Sequence, residues 1–173
     1  MDSRFFLIGG TGFFGTALAR ALRDRGFSVV TAARGRGGGK PDIQVDLPDD
    51  ISALAGALRA GDRVVYLAPL TPLRRPAGGR GAYRRVHLEG FLRLLTLARQ
   101  RRVAHVTYTS ALGVRLDAGA AYAETKARAE GALERSGLTG TVVAPSILFG
   151  PGSEIVATLA LLSRLPVVPV PGI

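Results

Sequence analysis

The sequence predicts an α/β fold built on a doubly wound parallel sheet with helices on both faces. Three observations predict it. Apolar runs of strand length alternate with helical patterns along the whole chain. Each strand run is almost wholly apolar, as expected where both faces of a sheet are covered. The first strand also passes through a glycine-rich turn straight into an amphipathic helix. With 173 residues and 47% hydrophobic content, the chain can bury one good core. The length favours one domain, residues 1–173.

Each element has its own signal. The first strand is expected near 4–9, where Phe5-Phe6-Leu7-Ile8 is unbroken in its apolarity. Helix 13–25 follows, with Ala17, Leu18, Ala21 and Leu22 inward and Arg20, Arg23 and Arg25 outward. The second strand falls near 27–32, and the glycine- and arginine-rich stretch from Arg34 to Pro41 reads as a loop. A third strand near 42–45 leads to a helix near 50–59, and a fourth strand lies near 63–67. From Thr71 to Gly81 the chain carries Pro72, Pro76, Gly78, Gly79 and Gly81, which reads as a flap near the cleft. Helix 82–101, strand 103–108, helix 120–136, strand 139–144 and helix 153–164 complete the pattern. No internal repeat is present.

Composition excludes several functions. Zero cysteines leave no disulfide, thiolate ligand or cysteine nucleophile, and two isolated histidines argue against a zinc site, so no metal is expected. The longest uncharged run, Ser136 to Ser153, contains Gly137, Gly140, Pro145, Gly150, Pro151 and Gly152, which break a membrane-spanning helix. Met1-Asp2-Ser3-Arg4 leads directly into the first strand with no signal peptide, and a cytoplasmic location is expected. The formal charge of +10 invites a nucleic-acid reading. Yet the basic residues are scattered arginines without an aromatic-interleaved ladder, so nucleic acid is not the expected partner; most of the charge reads as solvated surface, with a share for attracting an anionic cofactor or substrate.

The turn Gly9-Gly10-Thr11-Gly12-Phe13-Phe14-Gly15 carries the chemistry. Gly10 is expected to turn the chain out of the strand, Gly12 to let main chain approach a phosphate, and Gly15 to let the helix lie close to the sheet. Free N–H groups at the helix start then face an anion. Residues just past the other strands converge on the same crevice: Arg34 and Arg36, Asp46, Ala68 and Pro69, Ser110, and Pro145. After the second strand no carboxylate is offered to ribose hydroxyls. Arg34 and Arg36 suit a 2′-phosphate in charge and fork geometry, which favours NADP(H) over NAD(H).

Tyr122 and Lys126 stand four residues apart on one expected helix face. A nearby ammonium favours the phenolate, which would bring Tyr122 closer to acid–base work at neutral pH. Ser110, twelve residues before Tyr122, would hold a substrate oxygen.

These motifs resemble the short-chain dehydrogenase/reductase superfamily, in its extended or atypical branch of NAD-dependent epimerase/dehydratase-like proteins. The resemblance extends over Val45-Asp46-Leu47, Val65-Tyr66-Leu67-Ala68, His87-Leu88-Glu89-Gly90, Thr109-Ser110-Ala111-Leu112-Gly113, Tyr122-Ala123-Glu124-Thr125-Lys126 and Pro145-Ser146-Ile147-Leu148-Phe149-Gly150. The Ser-Ala-Leu-Gly wording is similar to the subgroup related to the NAD(P)-binding accessory subunit of respiratory complex I. The resemblance implies a Rossmann fold, with cofactor contacts from Gly9 to Gly15 and from Leu47, Leu67, Ala68, Pro69 and Pro145. It further implies that Asp46 binds the adenine amino group, Tyr122 is the acid/base, Lys126 holds the nicotinamide ribose, and Ser110 positions the substrate.

Two departures stand out. His87 replaces the family's usual asparagine and Ala144 its usual arginine. By the same resemblance the C-terminal substrate lobe of relatives is expected to be missing, with 153–173 the start of a truncated one, and pairing as a homodimer would use the helices holding Tyr122 and residues 153–164. The readings left open are an oxidoreductase or epimerase acting on an unknown small molecule, and a non-catalytic NADP(H)-binding structural or sensor protein.

Overall fold

The computed structural model describes residues 4–35, 39–67, 70 and 76–164. Six strands form one sheet: β1 (Phe5–Ile8), β2 (Val29–Ala33), β3 (Ile43–Gln44), β4 (Arg63–Tyr66), β5 (His105–Thr109) and β6 (Gly140–Val143). Their spatial order is β3-β2-β1-β4-β5-β6, and every pair is parallel. The chain therefore starts in the middle, winds to one edge, and crosses back to build the other. That reversal between β1 and β4 opens a crevice at the strand carboxyl ends. The helices are α1 (Phe13–Arg23), α2 (Ser52–Ala57), α3 (Gly79–Tyr83), α4 (Gly90–Gln100), α5 (Ala121–Glu134) and α6 (Glu154–Leu162).

Alternation along the strands divides the core between the two faces. Phe6, Ile8, Val64, Tyr66, Val106 and Tyr108 pack with Phe91, Leu94 and Ala98 of α4 and with Ala129 and Leu133 of α5. Leu7 and Val65 pack on the other side with Ala19, Leu18 and Leu22 of α1. Each fully buried Val, Leu, Ile or Phe among them contributes about 1.5–3 kcal/mol by leaving water. At the amino ends of β1 and β4, Arg4 donates to both carboxylate oxygens of the buried Asp62 at 3.1 and 2.9 Å, and to the Ala57 carbonyl at 2.9 Å.

Three expectations need correction. On α1 the buried alanine is Ala19, while Ala17 is exposed, because the helix turns its Gly15–Ala19 line to the sheet. The expected helix 82–101 begins at Gly79, after Gly78 in the left-handed region (φ 93°), and is interrupted by a π-helical segment, Arg84–Glu89, between α3 and α4. Strand β6 is not covered on both faces: Gly140, Thr141 and Val143 are exposed, since it is the last strand of the sheet. Helix α6 is apolar but mostly exposed, with Leu159 at 59% and Leu161 at 64%. Most of the Thr71 to Gly81 stretch, residues 71–75, lies outside the described residues, as do residues 165–173.

Candidate functional site

The turn after β1 is shaped by contacts that leave no room for side chains. Gly9 takes the positive φ, 86°, so the sharp turn expected of Gly10 falls one residue earlier. Gly10 is required instead by packing: a Cβ there would lie 2.8 Å from the Leu7 carbonyl oxygen and 2.9 Å from Thr31 of β2. A Cβ on Gly15 would lie 2.3 Å from the Gly9 oxygen, which is how α1 comes so close to the strand. Gly12 differs, since its Cβ would meet only the Gly9 oxygen, at 3.3 Å.

Gly12 is also the N-cap of α1, where no side chain caps the helix and no acidic residue occupies the first turn. The N–H groups of its first turn thus lie beside a residue without a side chain. That combination fits a diphosphate, since anions are stabilised by such helix starts. Phe13 is partly exposed, with its ring near Gly150 and Gly152 of the β6–α6 loop, whereas Phe14 is half-buried.

A cavity of about 310 Å³ opens beside the turn, lined by Thr11, Thr16, Arg20, Arg23 and Lys40 among others. Sequence reading treated Arg20 and Arg23 as outward surface. Both are exposed as expected, Arg20 beside Asp24 and Arg23 beside Asp42, and Lys40 comes from the β2–β3 connection. Arg34 follows β2 and is exposed, with its backbone carbonyl accepting from Gln44 Nε2 at 3.3 Å. Arg36 lies outside the described residues, as do Ala68 and Pro69.

Other strand-end residues line up along the same edge. Asp46 is half-buried after β3, where its backbone exchanges hydrogen bonds with Asp50 at 3.3 and 2.8 Å. Leu47 packs against the core, and Leu67 continues β4 by donating its N–H to the Ile8 carbonyl at 3.0 Å. The ends of β5 and β6 are joined past the strands: Ser110 N–H donates to Val143 at 2.8 Å, and Leu112 N–H to the Pro145 carbonyl at 2.9 Å.

Helix α5 brings Tyr122 and Lys126 to the end of β5. Lys126 is 2% exposed and donates to the Thr109 carbonyl at 2.8 Å. Its ammonium lies 5.4 Å from the ring centres of both Tyr108 and Tyr122. Burial pushes Lys126 down to about 8, and nearby Glu130 opposes that fall. Tyr122 goes the other way from expectation: burial raises it above the ordinary tyrosine value, with Tyr83 adding to the rise. Loss of solvent dominates there, and the ammonium that was expected to lower it is bonded to the Thr109 carbonyl.

Ser110, 3% exposed, donates its hydroxyl to Glu130 Oε1. Its resting hydroxyl is therefore engaged with α5. His87, in the π-helical segment, is wholly buried, with Nδ1 3.2 Å from Thr125 Oγ1 and Nε2 3.3 Å from the Leu70 carbonyl. Burial first, and the Lys126 charge second, push His87 down to about 3, so it is neutral at ordinary pH. Its ring stands edge-on to Tyr122, with centres 5.4 Å apart. Glu130 and Thr125 were missed by sequence reading. The signal that could have found Glu130 is its place one turn after Lys126.

Sheet order and the crevice at the strand ends define an α/β protein of the Rossmann type. Residues 5–163 match the NAD dependent epimerase/dehydratase family, and the chain belongs to that family. No curated protein matches the sequence significantly.

Solved structures with the same fold include three informative ones. A short-chain dehydrogenase/reductase superfamily protein from Agrobacterium tumefaciens with bound NAD is 24% identical, with TM-score 0.69, and the match covers 82% of this chain and 48% of that one. UDP-glucose 4-epimerase from Thermus thermophilus in complex with NAD is 24% identical, with TM-score 0.72 and coverage of 95% and 64%. UDP-glucose 4-epimerase from Thermotoga maritima with UDP-glucose is 18% identical, with TM-score 0.73 and coverage of 86% and 57%. This chain thus spans about half to two thirds of the length of those relatives. Among the described residues, no group of three His, Cys, Asp or Glu is arranged to hold a metal, and no helix is long and apolar enough to cross a membrane.

Proposed function

We propose that this chain binds a nicotinamide dinucleotide across its strand ends and acts on a small alcohol or carbonyl compound as an oxidoreductase or epimerase-type enzyme. The observation that carries the reading is the uncapped start of α1 beside Gly12, on a sheet whose β5 and α5 bring Lys126 to Tyr122. NAD in the Agrobacterium and Thermus structures supports a nicotinamide cofactor. Such a group supplies a hydride donor or acceptor.

The chain's residues supply the rest. Main chain from Gly9 to Gly15 receives the diphosphate, Asp46 takes the adenine amino group, and Leu47, Leu67, Ala68, Pro69 and Pro145 wall the cofactor. Lys126 holds the ribose. Tyr122, raised by burial, is protonated at neutral pH, which would suit it to donate a proton to a substrate carbonyl oxygen. Ser110 would orient that oxygen after exchanging its bond to Glu130. NADP(H) is the favoured cofactor: Arg34 and Arg36 follow β2, and Arg20, Arg23 and Lys40 add positive charge beside the turn.

The engaged Ser110 hydroxyl favours a second reading, a protein that holds NADP(H) without turnover. One set of measurements separates them. Cofactor fluorescence should show NADPH binding more tightly than NADH, and replacing Arg34 and Arg36 with alanine should erase the difference. Tyr122→Phe should abolish turnover of any alcohol or carbonyl substrate found in a screen while changing cofactor affinity less than about twofold. Binding without turnover of any compound supports the second reading; no binding sinks both.

A further inference from the structure

Ser110 and Lys126 share a neighbour that no role above accounts for. Glu130 stands one turn beyond Lys126, so Tyr122, Lys126 and Glu130 follow each other at four-residue steps along α5. The carboxylate reaches the far side of the site. Its Oε1 accepts the hydroxyl of Ser110, a residue on the strand end rather than on the helix.

The electrostatic surroundings make that carboxylate matter. A buried ammonium is costly unless an anion or hydrogen bonds compensate it. Lys126 has the Thr109 carbonyl for one N–H. The titratable groups around it are Tyr108 from β5, His87 from the π-helical segment, and Tyr122 and Glu130 from its own helix. At neutral pH the tyrosines and His87 carry no charge. Glu130 is the acid of the set.

We propose that Glu130 is a positioning residue of this site, whose carboxylate ties the Ser110 hydroxyl to α5 and acts as the counter-charge that keeps the Lys126 ammonium at its station between Tyr108 and Tyr122. The proposal rests on the reading of Lys126 and Tyr122 as cofactor-site residues, but its test does not need a substrate. It also sets a condition on the site: substrate must compete with Glu130 for the Ser110 hydroxyl.

The chain has two lysines, Lys40 and Lys126, so lysine-labelled protein gives two side-chain signals to follow by NMR. Lys126 should titrate near 8 in the wild type. Glu130→Gln should lower its midpoint by about one pH unit, the size expected for losing one nearby charge, while Lys40 does not move. Glu130→Asp, with the charge on a shorter arm, should fall between the two. Ser110→Ala should leave the midpoint within about 0.3 units of wild type, because it removes a hydroxyl and no charge. An unchanged Lys126 midpoint in folded Glu130→Gln overturns the proposal. Should that variant not fold, an unchanged midpoint in Glu130→Asp overturns it equally. Cofactor fluorescence on the wild type runs beside these titrations, so failure of dinucleotide binding is read separately from failure of the Glu130 role.

Discussion

Gly12 and Gly15 stand three residues apart, and alanine separates their duties. The Gly15 Cβ would sit 2.3 Å from the Gly9 oxygen and 2.7 Å from the Gly10 backbone, where nothing can yield cheaply. Overpacking of this kind costs about 1–3 kcal/mol or more, so Gly15→Ala is expected to lower the urea midpoint and lose dinucleotide binding. Gly12→Ala meets one atom at 3.3 Å. It is expected to stay within about 1 kcal/mol of wild-type stability while dinucleotide affinity falls at least about tenfold; equal stability losses in the two variants would refute the distinction.

His87 gives a pH signature at the same scale. In the folded chain it takes a proton only near pH 3, against 6.5 for an ordinary histidine. The unfolded chain binds more protons between those values. Its contribution to stability is therefore complete above pH 6.5 and is lost as the pH falls toward 3, by up to about 1.4 kcal/mol per unit. Melting temperatures from pH 7 to 4 check this: the wild type should fall more steeply than His87→Asn.

At the level of elements, two segments defy their own sequence pattern. Arg84–Glu89 widens the helix between α3 and α4 into a π turn, a feature that recurs at functional sites. It seats His87 against Thr125 and offers the Val86 carbonyl to the Tyr66 hydroxyl. Helix α6 is the other case. Val156, Leu159 and Leu161 are 45%, 59% and 64% exposed, so replacing all three with lysine should change stability by no more than about 1.5 kcal/mol and should reduce binding of a hydrophobic dye. A loss of several kcal/mol would mean that the helix is covered in solution.

Across the whole molecule, charge and topology act together. A net charge of +10 should draw in an anionic dinucleotide. Raising ionic strength from roughly 0.02 to 0.2 M, which shortens the screening length to under about 10 Å, is expected to weaken cofactor binding several-fold; salt-independent affinity would contradict this.

The parts legible in the sequence were local ones. The glycine turn and the Tyr122–Lys126 pair are short spacings with fixed geometric meaning, and six alternating apolar runs were enough to imply the sheet. What stayed hidden depends on docking between distant elements. Glu130 meets Ser110 only because α5 lies along β5, and His87 is buried only because a π turn swings it toward Thr125. Apolarity also reports what a segment would bury, never what is there to bury it, which is why β6 misled.

The Lys126 ammonium lies over the Tyr108 ring, which packs on Tyr66 and Phe91 at 5.8 and 4.5 Å. Interior and chemistry therefore share a wall. A substitution at Phe91, wholly buried against Tyr108, would therefore reach both the packing of the interior and the surroundings of the Lys126 ammonium.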